Sequence, residues 1–208
     1  LYRKRILDIL GVRFILHKNG TEKNSDLTTF PPDQYQLIFQ DGEWQVYENK
    51  GVVPRFFLTG DYIVESNEIN IIKKLHDPDF NYHKTLILEK NPKIPAQKNS
   101  KGSVELLSYS PNEVRLKTMS TVPTILFLSD NYYPGWKASI DGAQKEIYRA
   151  DYSFRAVVVP EGKHFVTFNY YPDSFLTGLK IASVILVIFM STVTFMVFRK
   201  KYDKDLCA

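Results

Sequence analysis

From Ile181 to Phe198 the chain runs for 18 residues without a charged side chain, IASVILVIFMSTVTFMVF, and then turns basic at Arg199-Lys200-Lys201. At about 1.5 Å per residue such a run covers roughly 27 Å as a helix, close to the hydrocarbon thickness of a bilayer. Starting the helix at Leu176 adds a turn and a half and takes in Lys180, whose long stem lets its ammonium reach the interface. A soluble helix would interleave polar residues to face water, and here only scattered Ser and Thr interrupt the run. The expectation is a transmembrane helix over residues 176–198 followed by a tail at 199–208. A fully buried core helix is the rival reading, and the basic stop sequence argues against it.

The flanks give an orientation. Arg199, Lys200, Lys201 and Lys204 crowd the C-terminal side, whereas Asn169 to Phe175 holds no Lys or Arg. By the positive-inside rule the tail is cytoplasmic and the large N-terminal part extracytoplasmic. The sequence opens at Leu1 with neither an initiator Met nor a leader peptide, so the expectation is the C-terminal piece of a longer membrane protein. A tail-anchored protein with its domain in the cytoplasm is the alternative. Membrane lipid is the first partner in either case.

The rest of the chain excludes more than it assigns. Against 27 Lys and Arg stand 23 Asp and Glu, a net charge of +4, and the lysines are dispersed. Nucleic-acid binding has no further support. Cys207 is the single cysteine, so no intrachain disulfide and no thiolate metal site can form. The histidines, His17, His76, His83 and His164, have no metal-ligand spacing, and no metal site or cofactor is expected. With no phosphate loop, nucleophile elbow or Ser-His-Asp order, no catalytic residue is assigned.

Aromatic residues make up 14% of the chain, and with abundant Val and Ile they favour strands. Residues 1–90 read as a small α+β subdomain. A short helix over Tyr2–Leu10 stops at Gly11, a strand follows at Val12–His17, and a polar loop fills Asn19–Pro32. A hairpin then turns at Asp41-Gly42, a strand is expected at Arg55–Leu58, a helix over Asn67–Leu75, and a strand at Thr85–Leu88. Residues 91–102, NPKIPAQKNSKG, read as a linker. Residues 103–172 then hold seven β-like runs, Val104–Tyr109, Glu113–Met119, Thr124–Ser129, Trp136–Ile140, Lys145–Tyr148, Phe154–Val159 and His164–Tyr170. Turn residues at Ser110-Pro111-Asn112, Pro134-Gly135, Asp141-Gly142 and Pro160-Glu161-Gly162 break them, the pattern of an antiparallel β-sandwich. The fold class expected is mostly β, with the sandwich directly above the outer membrane surface and Tyr170, Tyr171 and Phe175 in the interfacial belt.

Several motifs resemble one family. They are D-N-Y-Y-P-G-W-K-A at Asp130–Ala138, I-D-G at Ile140–Gly142, Y-R-A-D-Y-S-F-R-A at Tyr148–Ala156, V-P-E-G-K-H at Val159–His164 and Y-x-P-x-S-F at Tyr170–Phe175. Upstream, L-x-x-L-G-V-R-F-I at Leu7–Ile15 and Y-E-N-K-x-x-x-P-R at Tyr47–Arg55 join them. The combination resembles the C-terminal region of the YfhO-like bacterial polytopic membrane proteins. The resemblance implies a bacterial cell membrane location and a parent similar to glycosyltransferases that take sugar from a lipid carrier to decorate envelope polymers. Envelope glycan, lipid-linked sugar and upstream helices of the parent are the partners it implies. It places catalytic acids in loops between early helices that this chain does not contain.

Tyr132, Tyr133 and Trp136 have the composition of a platform on which a sugar ring stacks, with Asp130, Arg149 and Arg155 near enough in sequence to bond its hydroxyls. Asp141 and Asp151 belong to the same neighbourhood. The competing reading is structural: Trp136 fills a sandwich core, Asp141-Gly142 turns the chain, and Arg149 and Arg155 pair with Asp130 or Asp151. A docking surface for further helices is the third. Three functions stay open: support or acceptor positioning for a glycosyltransferase, a carbohydrate-binding module, and a structural cap on a helix bundle.

Overall fold

The computed structural model describes residues 2–18, 30–98 and 100–205, with side chains from 3 to 196 in those ranges. Most of the expected loop at 19–32 and Cys207 lie outside them. The chain falls into two compact units, Leu1–Tyr133 with Lys137–Asn169, and Pro134–Trp136 with Tyr170–Ala208.

In the first unit, helix α1 spans Tyr2–Ile9. Gly11 ends it in the left-handed region at φ 70°, and the Val12 amide caps Leu7 O at 2.9 Å. Strands β1 (Phe14–Lys18), β2 (Tyr35–Asp41) and β3 (Trp44–Asn49) form a small sheet in the order β1-β3-β2. Asp41 pairs with Trp44, so the hairpin turns on Gly42-Glu43, one residue later than the dipeptide signal suggests.

Strands β4 (Phe56–Thr59), β5 (Tyr62–Val64) and β6 (Leu86–Leu88) do not form a subdomain of their own. They join β9 (Thr124–Asn131), β12 (Tyr148–Ala150) and β13 (Phe154–Val159) in a six-stranded sheet, β4-β9-β13-β12-β6-β5. The expected boundary at 91–102 is therefore corrected. Leu86, Ile87 and Leu88 are fully buried, and apolar runs this short gain a stable place only within a larger sheet. Residues 91–102 carry the chain from this sheet to the next. There, at the start of β7, a Cβ on Gly102 would lie 2.7 Å from Leu58 Cδ1 and 3.0 Å from Met119 O, so a larger residue would force Leu58 to shift.

The second large sheet is β11-β10-β14-β8-β7, with β7 at Gly102–Ser110, β8 at Glu113–Ser120, β10 at Trp136–Ile140, β11 at Ala143–Lys145 and β14 at Gly162–Tyr170. The run expected at Lys145–Tyr148 breaks in two and serves both sheets as β11 and β12. Strands β5 and β6 depart from the antiparallel pattern and run parallel, joined by helix α2 (Glu68–His76), which Asn67 caps by accepting the Asn70 amide.

Strands β9 and β13 are buried on both faces. Phe127 and Phe154 meet edge to face at 5.5 Å, in a cluster with Ile9, Leu86, Leu88, Ile125, Ala150 and Ala156. Alternation along the strands sends Leu126, Leu128, Arg155 and Val157 to the opposite face. The Arg155 guanidinium lies 5.5 Å from the ring of Phe168 in β14, which identifies that face as the sandwich interior.

The second unit consists of the Pro134–Trp136 turn and helix α3 (Asp173–Asp205) with the residues leading into it. Trp136 lies against Tyr170 with ring centres 5.4 Å apart, and Gly135 O accepts the Tyr171 amide at 2.6 Å. Within α3 the 24 residues Asp173–Met196 are long and apolar enough to cross a membrane. Thr177, Ser183, Ser191, Thr192 and Thr194 each donate their hydroxyl to a carbonyl one turn back, at 2.7–2.8 Å. Hydroxyls satisfied within the helix are tolerated in hydrocarbon, where water cannot solvate them.

Candidate functional site

Three segments far apart in sequence converge on Asp130 at the end of β9. Arg55, just before β4, donates to Asp130 Oδ1 through Nε at 3.1 Å and Nη2 at 2.7 Å. Tyr109, near the end of β7, donates its hydroxyl to Oδ2 at 3.0 Å, and Arg155 of β13 donates to the same oxygen at 2.9 Å. Arg55 also bonds the Tyr109 hydroxyl and stacks on its ring, the guanidinium carbon 4.4 Å from the centroid. The β9–β13 ladder shifts register between Phe154 and Arg155, and Asp130 lies in the shifted stretch between their partners Asn131 and Leu128.

The cluster is graded by depth. Side-chain exposure falls from 53% at Arg55 to 11% at Asp130 and 1% at Arg155. Burial pulls the Arg155 guanidinium below its ordinary pKa, with Asp130 opposing. Burial lowers Arg55 as well, but its bond to Asp130 and the charges of Asp130 and Tyr109 outweigh that and hold it above the ordinary value. Burial, then the Asp130 charge, raises the Tyr109 phenol, which stays a neutral donor. The result is one solvent-facing cation and one aromatic ring, oriented by an ion pair beneath them.

A groove of about 570 Å³ adjoins Arg55 and is lined also by Arg13, Glu48, Asn49 and Lys50. Arg13 pairs with Glu48 at 3.0 Å, and Lys50 donates to Pro32 O at 2.9 Å. With Arg55 paired to Asp130 and Arg13 to Glu48, Lys50 leaves the groove a modest positive balance. Asn49 is fixed by donating to Asp8 Oδ1 at 2.7 Å and Val12 O at 3.0 Å. Asp8 is itself buried and bonded to Lys4 and to the Tyr82 hydroxyl. Burial, then the bond to Asp8, pushes the Tyr82 phenol far above its ordinary value.

Of the residues singled out from sequence, the structure brings together Asp130 and Arg155. Arg149 lies elsewhere, 3.2 Å from Glu89 and 3.6 Å from Glu68, with its guanidinium 5.0 Å from the Tyr152 ring. Tyr132 and Tyr133 are exposed in the first unit, at 43% and 60%, and Trp136 is half-buried in the second. Asp151 is buried and brackets Ile87, giving its amide to Ile87 O and accepting the Ile87 amide, both at 2.8 Å. Asp141 meets His164 Nδ1 at 2.6 Å and accepts the Phe165 amide, a turn-fixing role. Arg55 and Tyr109 were not among the expected site residues. Arg55 closes the Y-E-N-K-x-x-x-P-R motif, a usable signal; Tyr109 gave none. Among the described residues no three His, Cys, Asp or Glu side chains come together to hold a metal ion.

Residues 84–182 match the family model described as bacterial membrane protein YfhO. The matched stretch begins just before β6 and extends into α3, and it contains Tyr109, Asp130 and Arg155. No curated protein and no solved structure matches the chain.

Proposed function

We propose that this YfhO-type membrane protein holds its folded part on the extracytoplasmic side and uses the Arg55–Tyr109 surface to position an envelope glycan. The observation that supports this most is the stacked Arg55–Tyr109 pair held open to solvent above buried Asp130 and Arg155. Buried ion pairs add little net stability. One that orients an exposed cation and ring therefore points to recognition. Tyr109 offers a face for the C–H side of a pyranose and Arg55 donors for its hydroxyls. The positive groove beside them suits anionic substituents such as phosphodiesters. Catalysis belongs to another part of the system, and this chain positions the acceptor. The orientation is supported by Arg199-Lys200-Lys201 after the apolar run.

Titrating the whole chain in nanodiscs with phosphodiester-containing envelope glycan fragments tests the reading. Arg55→Gln and Tyr109→Ala each weaken binding about tenfold or more, equivalent to roughly 1.4 kcal/mol. Unchanged affinity in folded variants sinks the site, and no affinity in the unaltered chain leaves the structural-cap reading. A membrane-impermeant thiol reagent reaches Cys207 only after permeabilisation. Labelling from the medium would reverse the orientation.

A further inference from the structure

Helices α1 and α2 and the Asp151–Phe154 turn enclose a cavity of about 280 Å³. Ile9 and Phe154 line it from the core, and Ile6, Leu10 and Ile72 form a rim left 43%, 52% and 40% exposed. Asp151 is the one acid in the lining, which also holds His76, Tyr152 and Ser153. Its Oδ1 is committed to the Ile87 amide, and no basic side chain among the described residues forms an ion pair with it. Asp151 and Tyr152 both adopt left-handed backbone, at φ 45° and 73°. Two such residues in succession, neither of them glycine, are uncommon and concentrate where a fold holds a side chain for a purpose.

We propose that this cavity binds a short hydrocarbon chain ending in a hydrogen-bond donor, a hydroxyl or a primary ammonium, with the chain against Ile6, Ile72 and Phe154 and the donor on Asp151. The volume suits a small molecule near the lower end of ligand pockets and is too small for a protein helix. An apolar rim leading to a few polar groups, here Asp151 with His76 and Ser153, is the usual design of such sites. Burial pushes the Asp151 carboxyl up to about 7, opposed only by the Ile87 bond, so a donor brought in by a ligand relieves a standing desolvation cost. The inference does not depend on the glycan reading, which concerns Arg55 and Tyr109.

The test uses the whole chain in nanodiscs and three probes of equal length: hexan-1-ol, hexylammonium and hexanoate. Methyl NMR of Ile6 and Ile72 follows occupancy. Hexanol and hexylammonium saturate these signals, and hexanoate binds roughly tenfold or more weaker. Asp151→Asn removes the discrimination against hexanoate, and Ile72→Trp blocks all three while the methyl spectrum away from the cavity stays native. Hexylammonium also lowers the Asp151 titration midpoint. Hexanoate binding as well as hexanol, saturation that survives Ile72→Trp, or no saturation by any probe overturns the proposal. None of these outcomes changes the expected glycan titration.

Discussion

Arg149 and Arg155 face each other across the β12–β13 ladder, yet they lead different lives. Arg155 enters the sandwich interior and is compensated by Asp130 and the Phe168 ring. Arg149 stays 30% exposed beside Glu89 and Glu68. The aspartates of the two regions differ in the opposite sense. Asp130 receives two guanidinium groups and a phenol, whereas Asp151 has the Ile87 amide and a cavity. One region is an ion pair beneath an exposed cation and ring, and the other is an apolar cavity around a single acid. Burial alone thus says little about function.

The sharpest way to break this contrast is to truncate the two arginines in parallel. Arg155→Ala leaves Asp130 partly buried with half its compensation gone and costs about 3–5 kcal/mol in chemical denaturation. Arg149→Ala removes a partly exposed pair and costs about 1 kcal/mol or less. Arg155→Met combined with Asp130→Leu recovers most of the loss, because a matched apolar pair needs no compensation. Equal losses at the two positions would mean that the depth gradient around Asp130 has no energetic meaning.

The lone acid gives a pH signature. The Asp151 carboxyl titrates at about 7 in the folded chain against an ordinary 3.8, so the folded state holds this proton more tightly than the unfolded one. A raised carboxyl stabilises most when both states are protonated, and its contribution falls as pH rises from about 4 to 7. The loss is then complete and amounts to about 4 kcal/mol. Asp151→Asn keeps a carbonyl oxygen for the Ile87 amide and tolerates the left-handed backbone. The variant is therefore more stable than the parent at pH 8 and shows a flatter stability profile between pH 5 and pH 8. A parent profile already flat there would remove the case for an uncompensated acid.

How much of this was legible beforehand varies by element. The runs Trp136–Ile140 and Phe154–Val159 match β10 and β13 end to end, because Pro-Gly or a polar turn brackets each. Gly11 was readable as a helix stop because no other residue adopts its backbone so easily. Strand β5 was not: Tyr62–Val64 is three residues long and gains its place through a parallel pairing across α2. The 91–102 stretch misled because a segment crossing between two sheets has the same Pro- and Lys-rich composition as a tether between domains. Asp130 and Arg155 were readable as partners, but nothing local distinguished Arg149 from Arg155. Arg55 and Tyr109 reach Asp130 only through the sheet order.

The smallest effect comes from Asp141 and His164, a pair that resembles the Asp130 cluster in chemistry but sits at the surface. The bond to Asp141, then the Glu161 carbonyl, raises the His164 imidazole above 6.5, and the same bond lowers Asp141 below 3.8. The imidazole's contribution is complete below 6.5 and is lost as pH rises through its folded value. The carboxylate's is complete above 3.8 and is lost as pH falls through its own. The pair is therefore strongest between those two values, and solvent screening keeps its contribution small. An NMR titration of His164 reads this without unfolding the chain: the midpoint lies above 6.5 and returns toward it in Asp141→Asn. If the midpoint sits at or below 6.5 in the parent, the bond to Asp141 does not persist in solution.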